Sequence, residues 1–111
     1  MALAVPRTLT FDSLFIVATI KMDITFDPRK DKANILKHGV SLAMARLLDW
    51  DAALVSVDDR FHYAECRMIA LAPESRTVYY VAFVETPATR RIISLRPATR
   101  REVSHYVESI Q

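Results

Sequence analysis

A chain of 111 residues is long enough for one domain and leaves no room for a second core of useful size. With 51% apolar and 25% charged residues, it is neither disordered nor fibrous. The net charge of +2 says little about partners by itself, but its distribution is uneven. Residues 49–59 carry Asp49, Asp51, Asp58 and Asp59 and no base, whereas residues 86–111 hold five Arg against Glu102 and Glu108, an asymmetry that sets up a local positive field for a polyanion.

Residues 1–21 read as an N-terminal extension distinct from the domain at 22–111, or as an artefact of start assignment. Their apolar run, Leu14 to Ile20, is too short to span a bilayer. Arg7 precedes it without a small-residue cleavage site, against a secretory signal. From Met22-Asp23-Ile24-Thr25-Phe26 onward the local signals sharpen. Asp27 as cap, Pro28 in the first turn and Gly39 just past the end predict a helix over 28–38. Ala33, Ile35 and Leu36 are expected to face inward, and Arg29, Lys30, Lys32 and Lys37 to stay wet. Ser41 offers a second cap, and Leu42, Ala45, Leu48 and Trp50 form the stripe of a short second helix ending near Asp49.

Beyond Asp51 the apolar period shortens towards two, and a strand is expected with Ala53, Val55 and Val57 on one face. Arg67–Ala72 and Thr77–Glu85 read as a hairpin joined by a four-residue loop, Pro73-Glu74-Ser75-Arg76. A fourth strand follows at Arg90–Arg96. Thr99-Arg100-Arg101-Glu102 is a capping box that opens a closing helix to about Ser109. The order helix, helix, four mainly antiparallel strands, helix gives an α+β domain with the helices on one face of the sheet.

The lone Cys66 has no intramolecular partner, which points to a reducing cytoplasm and leaves it as a small apolar strand residue. His38, His62 and His105 lack metal-site spacing, so neither metal nor cofactor is expected. His62 and His105 read as surface or core residues. Three features stand out: Lys37-His38-Gly39-Val40 at a helix end, Arg67 opening a strand, and the run from Arg90 to Glu102. The first has a structural reading, because cations complement a helix C-terminus and Gly39 serves as an ordinary cap. On a regular strand Arg90, Ser94 and Arg96 form one polar row, with Arg91 on the other side. Arg100 and Arg101 sit where a helix N-terminus disfavours cations unless an anion is bound; solvation of both is the competing reading.

RNA cleavage through the ribose 2′-hydroxyl needs a base, an acid and fixed positive charge on the transition state. His38 is the natural proton carrier, and the forks of Arg67 and Arg96 suit a phosphate. Tyr106 can donate to or stack on a base, or else serve the core. A binding module without catalysis, or a subunit whose basic strand docks an acidic partner, uses the same arginines.

The stretch Phe26 to Lys30 with Asn34 and Lys37-His38-Gly39-Val40-Ser41, followed by Arg91-Ile92-Ile93-Ser94, Arg96, Ala98 to Glu102 and Tyr106, resembles the BrnT toxins over about Asp23 to Glu108. Two separated motifs in the right order make the resemblance specific. It implies a RelE-like α+β fold and a ribonuclease that arrests growth. It also implies neutralisation by a BrnA-type antitoxin, through which operator DNA is contacted indirectly. By motif Lys37 and His38 match the family's Lys-His-Gly segment, and Arg67, Arg91, Arg96 and Glu102 match its basic strand and final helix start. The expected catalytic residues are therefore Lys37, His38, Arg67, Arg96 and Glu102, with Arg90, Arg91, Ser94, Arg100, Arg101 and Tyr106 as expected RNA contacts. Pro97 stands where the family often carries Lys, which removes one charge from the RNA face.

Overall fold

Asp27, Pro28 and Gly39 delimit the first helix as the sequence requires. In the computed structural model, which describes residues 22–60 and 64–111, α1 spans Pro28–His38. The Asp27 carboxylate accepts from the Arg29 N–H at 2.8 Å, and the Gly39 N–H donates to the Ile35 carbonyl at 2.8 Å. Gly39 has φ +75°, and a Cβ there meets nothing within 4 Å. Gly39→Ala is therefore expected to cost backbone strain alone, about 1 kcal/mol. Calorimetry should record that as a melting point lower by about 4–8 °C.

The buried face of α1 differs from the expected one. Ile35 and Leu36 are 44% and 89% exposed, Ala33 is also exposed, and Asn34 is the residue turned inward. The four predicted wet cations are all exposed. The second predicted helix is a 3₁₀ helix, Leu42–Arg46, capped by the Ser41 hydroxyl, followed by a single 3₁₀ turn at Trp50–Ala52. Its period explains the change: three residues per turn stack Leu42 and Ala45 in line, and both are buried, as is Leu48 just beyond the helix. Asp31 pins the start, accepting from the Ser41 hydroxyl at 2.9 Å and the Leu42 N–H at 2.7 Å.

The sheet has five strands: β1 (Asp23–Thr25), β2 (Leu54–Val57), β3 (Met68–Glu74), β4 (Thr77–Glu85) and β5 (Thr89–Pro97), in the order β1-β5-β4-β3-β2. The four predicted strands are present and antiparallel in sequence order. The unpredicted β1 pairs parallel to β5, and three residues are too few to show a period. The β3–β4 register pairs Glu74 with Thr77, so the connection is Ser75-Arg76 and not four residues, with Ser75 at φ +53°. Val55 and Val57, expected on one face of this strand, are 45% and 56% exposed, since β2 lies at the edge of the sheet.

Ala70, Ala72, Val81, Phe83, Ile92 and Leu95 cover one face of the sheet and pack against Leu42, Ala45 and Leu48. The closing helix, α2 (Arg100–Ser109), carries the predicted capping box and lies over the opposite face, beside Ile69, Leu71 and Tyr80. Helical elements therefore flank both faces, correcting the one-face arrangement. A bulge in β5 has the larger consequence. Ala82 pairs with Ser94 and Phe83 with Ile92, which leaves Ile93 as an extra residue and shifts the alternation by one.

Candidate active site

The bulge rearranges the arginine run. Arg91, Ser94 and Arg96 oppose Val84, Ala82 and Tyr80, alternate residues of β4, and so share the α2 face. Arg90 opposes Glu85 on the core face. There its guanidinium lies 4.3 Å from the Trp50 ring centroid and pairs with Glu85 at 3.2 Å. The expected row of Arg90, Ser94 and Arg96 is thus replaced by Arg91, Ser94 and Arg96.

Arg96 is held from two sides. Glu102, at the third position of α2, accepts both of its terminal nitrogens at 2.9 and 3.0 Å, while also accepting from the Thr99 N–H at 2.8 Å. The Tyr80 ring stacks beneath, its centroid 4.0 Å from the guanidinium carbon. This fork and stack fix a delocalised cation that a lysine could not reproduce. Arg96 holds the Glu102 carboxyl below its usual range, chiefly through their hydrogen bonds. The depressed value places the pair's contribution above the unfolded carboxyl's pKa, and it is lost as pH falls through the folded one. Arg60 reaches the Tyr80 hydroxyl at 3.4 Å and forks onto the buried Asp58 at 2.8 and 3.0 Å.

His38 lies one helical turn beyond Asn34, the residue that anchors α1 to β5. β1 pairs with β5 only over Thr89–Arg91, and further along the same edge Asn34 takes the place of a strand. Its side-chain oxygen accepts from the Leu95 N–H at 3.1 Å, and its nitrogen donates to the carbonyls of Leu95 at 2.7 Å and Val40 at 2.8 Å. Residues four apart share a helix face, so fixing Asn34 on Leu95 turns His38 towards the next residues of β5. The half-buried imidazole has its pKa lowered from the ordinary value, first by burial, then by the positive charges of Lys37 and Arg96.

The other predicted residues are distributed as follows. Lys37 is exposed beside His38. Arg67 immediately precedes β3, where its carbonyl accepts the Asp58 N–H at 2.8 Å. Arg91 pairs with Glu65. Arg100 and Arg101 are exposed in the first turn of α2 and make no ion pair among the described residues. Tyr106 is corrected from an RNA contact to a packing residue: it is 5% exposed, and its hydroxyl donates to the Ala52 carbonyl at 2.7 Å. Cys66 is exposed and precedes β3, so it is not an apolar strand residue. His105 is exposed; His62 and the 1–21 extension lie outside the described residues. Sequence reasoning missed Tyr80, Arg60 and Asp58. The β4–β5 register pairs Tyr80 with Arg96, and that register depends on a bulge with no local sequence signal. Among the described residues no three His, Cys, Asp or Glu side chains converge as a metal site requires.

The family model for the ribonuclease toxin BrnT of type II toxin-antitoxin systems matches residues 26–102, from just before α1 to the carboxylate that holds Arg96. The chain belongs to the BrnT family. The crystal structure of the Brucella abortus ribonuclease toxin BrnT superposes with a TM-score of 0.56 at 25% identity, covering 72% of this chain and 100% of that one. Comparison with the curated proteins gives no match. The BrnT match ends at Glu102, so it contains the whole His38, Arg96, Glu102 cluster and leaves out most of α2. No described helix is long and apolar enough to cross a membrane.

Proposed function

We propose that this BrnT-family chain is an endoribonuclease that acts through the ribose 2′-hydroxyl without a metal. In this reading residues 22–111 form the toxin domain, which arrests growth in the cytoplasm until a BrnA-like antitoxin neutralises it and which meets operator DNA only through that antitoxin. What supports the reading is an imidazole whose pKa is lowered in part by the charge of Arg96, a guanidinium fixed by both a carboxylate and an aromatic ring.

His38, neutral near pH 7, takes the proton of the 2′-hydroxyl as the 2′-oxygen bonds to phosphorus. The bond from phosphorus to the 5′-oxygen breaks, that oxygen takes a proton from water as it leaves, and His38 returns its own proton to solvent. Arg96 and Lys37 stabilise the charge that builds on the phosphoryl oxygens. Glu102 is a positioning residue: its lowered pKa and bidentate pairing suit it to hold Arg96 and not to carry a proton. Arg67, Arg91, Ser94, Arg100 and Arg101 extend the phosphate path; Arg90 and Tyr106 are left out because of their packing.

The test uses the purified chain, free of any partner, on total RNA with and without a chelator. Cleavage is expected in both cases. Arg96→Lys, which loses the fork and the stack, should lower the rate about 10²-fold. RNA left uncut by the wild-type chain, or cut only when metal is supplied, would overturn the corresponding part of the proposal.

A further inference from the structure

On the α2 face of the sheet, a groove of about 310 Å³ runs between β2, β3 and α2, with Leu54, Ile69 and Leu71 on its floor. Tyr80 and Glu102 also line it, and these are the two side chains that hold Arg96 by stacking and by the bidentate pair. The groove is therefore continuous with the candidate cleavage centre. We propose that it is a nucleobase subsite, taking one base next to the phosphate held at Arg96 and so setting the sequence preference of cleavage. The proposal rests on the ribonuclease reading above.

Its chemistry fits a base. An apolar floor beside an aromatic ring favours a planar π-face, and that contact is indifferent to which base enters. Discrimination needs polar groups at the edge of the base. Ser56 and His105 line the groove, and neither side chain is hydrogen-bonded among the described residues. The hydroxyl offers one donor and two acceptor lone pairs, and the imidazole offers two ring nitrogens for hydrogen bonding. The volume lies at the small end of ligand sites, about 300–1,000 Å³. That suits one base better than a partner's helix, whose diameter with side chains is about 10 Å.

The experiment compares the full chain with Ser56→Trp and His105→Ala on an RNA pool randomised around the cut site, sequencing the new 5′ ends. Ser56 is exposed on the edge strand, where a β-favouring indole can fill the groove without disturbing the core; circular dichroism checks the fold. The wild-type chain is expected to favour one or two bases at one position beside the cut. Ser56→Trp should raise KM roughly tenfold with kcat little changed and flatten the preference. His105→Ala should flatten it with a smaller rise in KM. A readout independent of turnover is titration with 2′-deoxy oligonucleotides, which should shift the His105 imidazole resonances and bind Ser56→Trp roughly tenfold more weakly.

If the wild-type chain cuts RNA and both variants keep its preference and KM, the subsite does not exist. Loss of antitoxin binding by Ser56→Trp, with RNA handling intact, would make the groove a protein-docking surface and also overturn the proposal. If the wild-type chain cuts nothing, the ribonuclease reading fails, and the deoxy-oligonucleotide titration still decides whether the groove takes a base.

Discussion

Replacing Asn34 by alanine is expected to remove about 3–5 kcal/mol of folding free energy, much of what a domain of this size has to spare. The side chain is 5% exposed and closes the free part of the β5 edge with its three hydrogen bonds to Leu95 and Val40. Alanine leaves a buried N–H and two carbonyls without partners, and each unsatisfied group costs about 1–3 kcal/mol, moderated where water can enter. Asn34→Asp separates charge from shape. Its carboxylate can still accept from the Leu95 N–H but faces two carbonyl oxygens, so the folded state raises the pKa of the new carboxyl above its unfolded value. Stability of that variant should therefore be highest at low pH and fall as pH rises through the folded pKa. Urea titrations of both variants near pH 4 and pH 7 check this. A loss below about 1 kcal/mol for Asn34→Ala would mean that the edge is held by other contacts.

The largest effect on activity is expected at His38. His38→Ala should lower kcat about 10²–10⁴-fold, the usual contribution of a general base, with little change in stability because the ring is only half-buried at a helix end. Burial, Lys37 and Arg96 all push the imidazole pKa down. The acid limb of the rate profile should accordingly lie below about pH 6.5, the ordinary imidazole value, with a plateau above. Lys37→Ala removes one repelling charge and should move that limb towards higher pH. Full toxicity on expression of His38→Ala, or an acid limb that does not respond to Lys37→Ala, would remove the imidazole from the mechanism.

These two residues stand differently with respect to the sequence. His38 was legible as a candidate because it ends a helix whose limits are written in Asp27, Pro28 and Gly39, and because its neighbours resemble a known motif. Asn34 belongs to that motif, but nothing in the local sequence gives it a structural task, since apolar Ile35 and Leu36 compete for the inward face. A helix chooses its buried side by what it lands on. Here it lands on an open strand edge, where a carboxamide that donates and accepts is worth more than an isobutyl group.

By itself, the sequence determined the elements whose causes lie within four residues: α1 with both caps, the capping box of α2, and the four antiparallel strands. It also marked His38, Arg96 and Glu102 as the residues to watch. The tertiary structure alone decided which of these meet. The bulge at Ile93 moved Arg90 to the core face and brought Arg91, Ser94 and Arg96 onto one side. Register placed Tyr80 under Arg96, the outer-edge position of β2 left Val55 and Val57 exposed, and packing took Tyr106 out of solvent. Each depends on contacts between residues distant in the chain, whose free energy comes from the assembled sheet and leaves no period or cap in the local sequence.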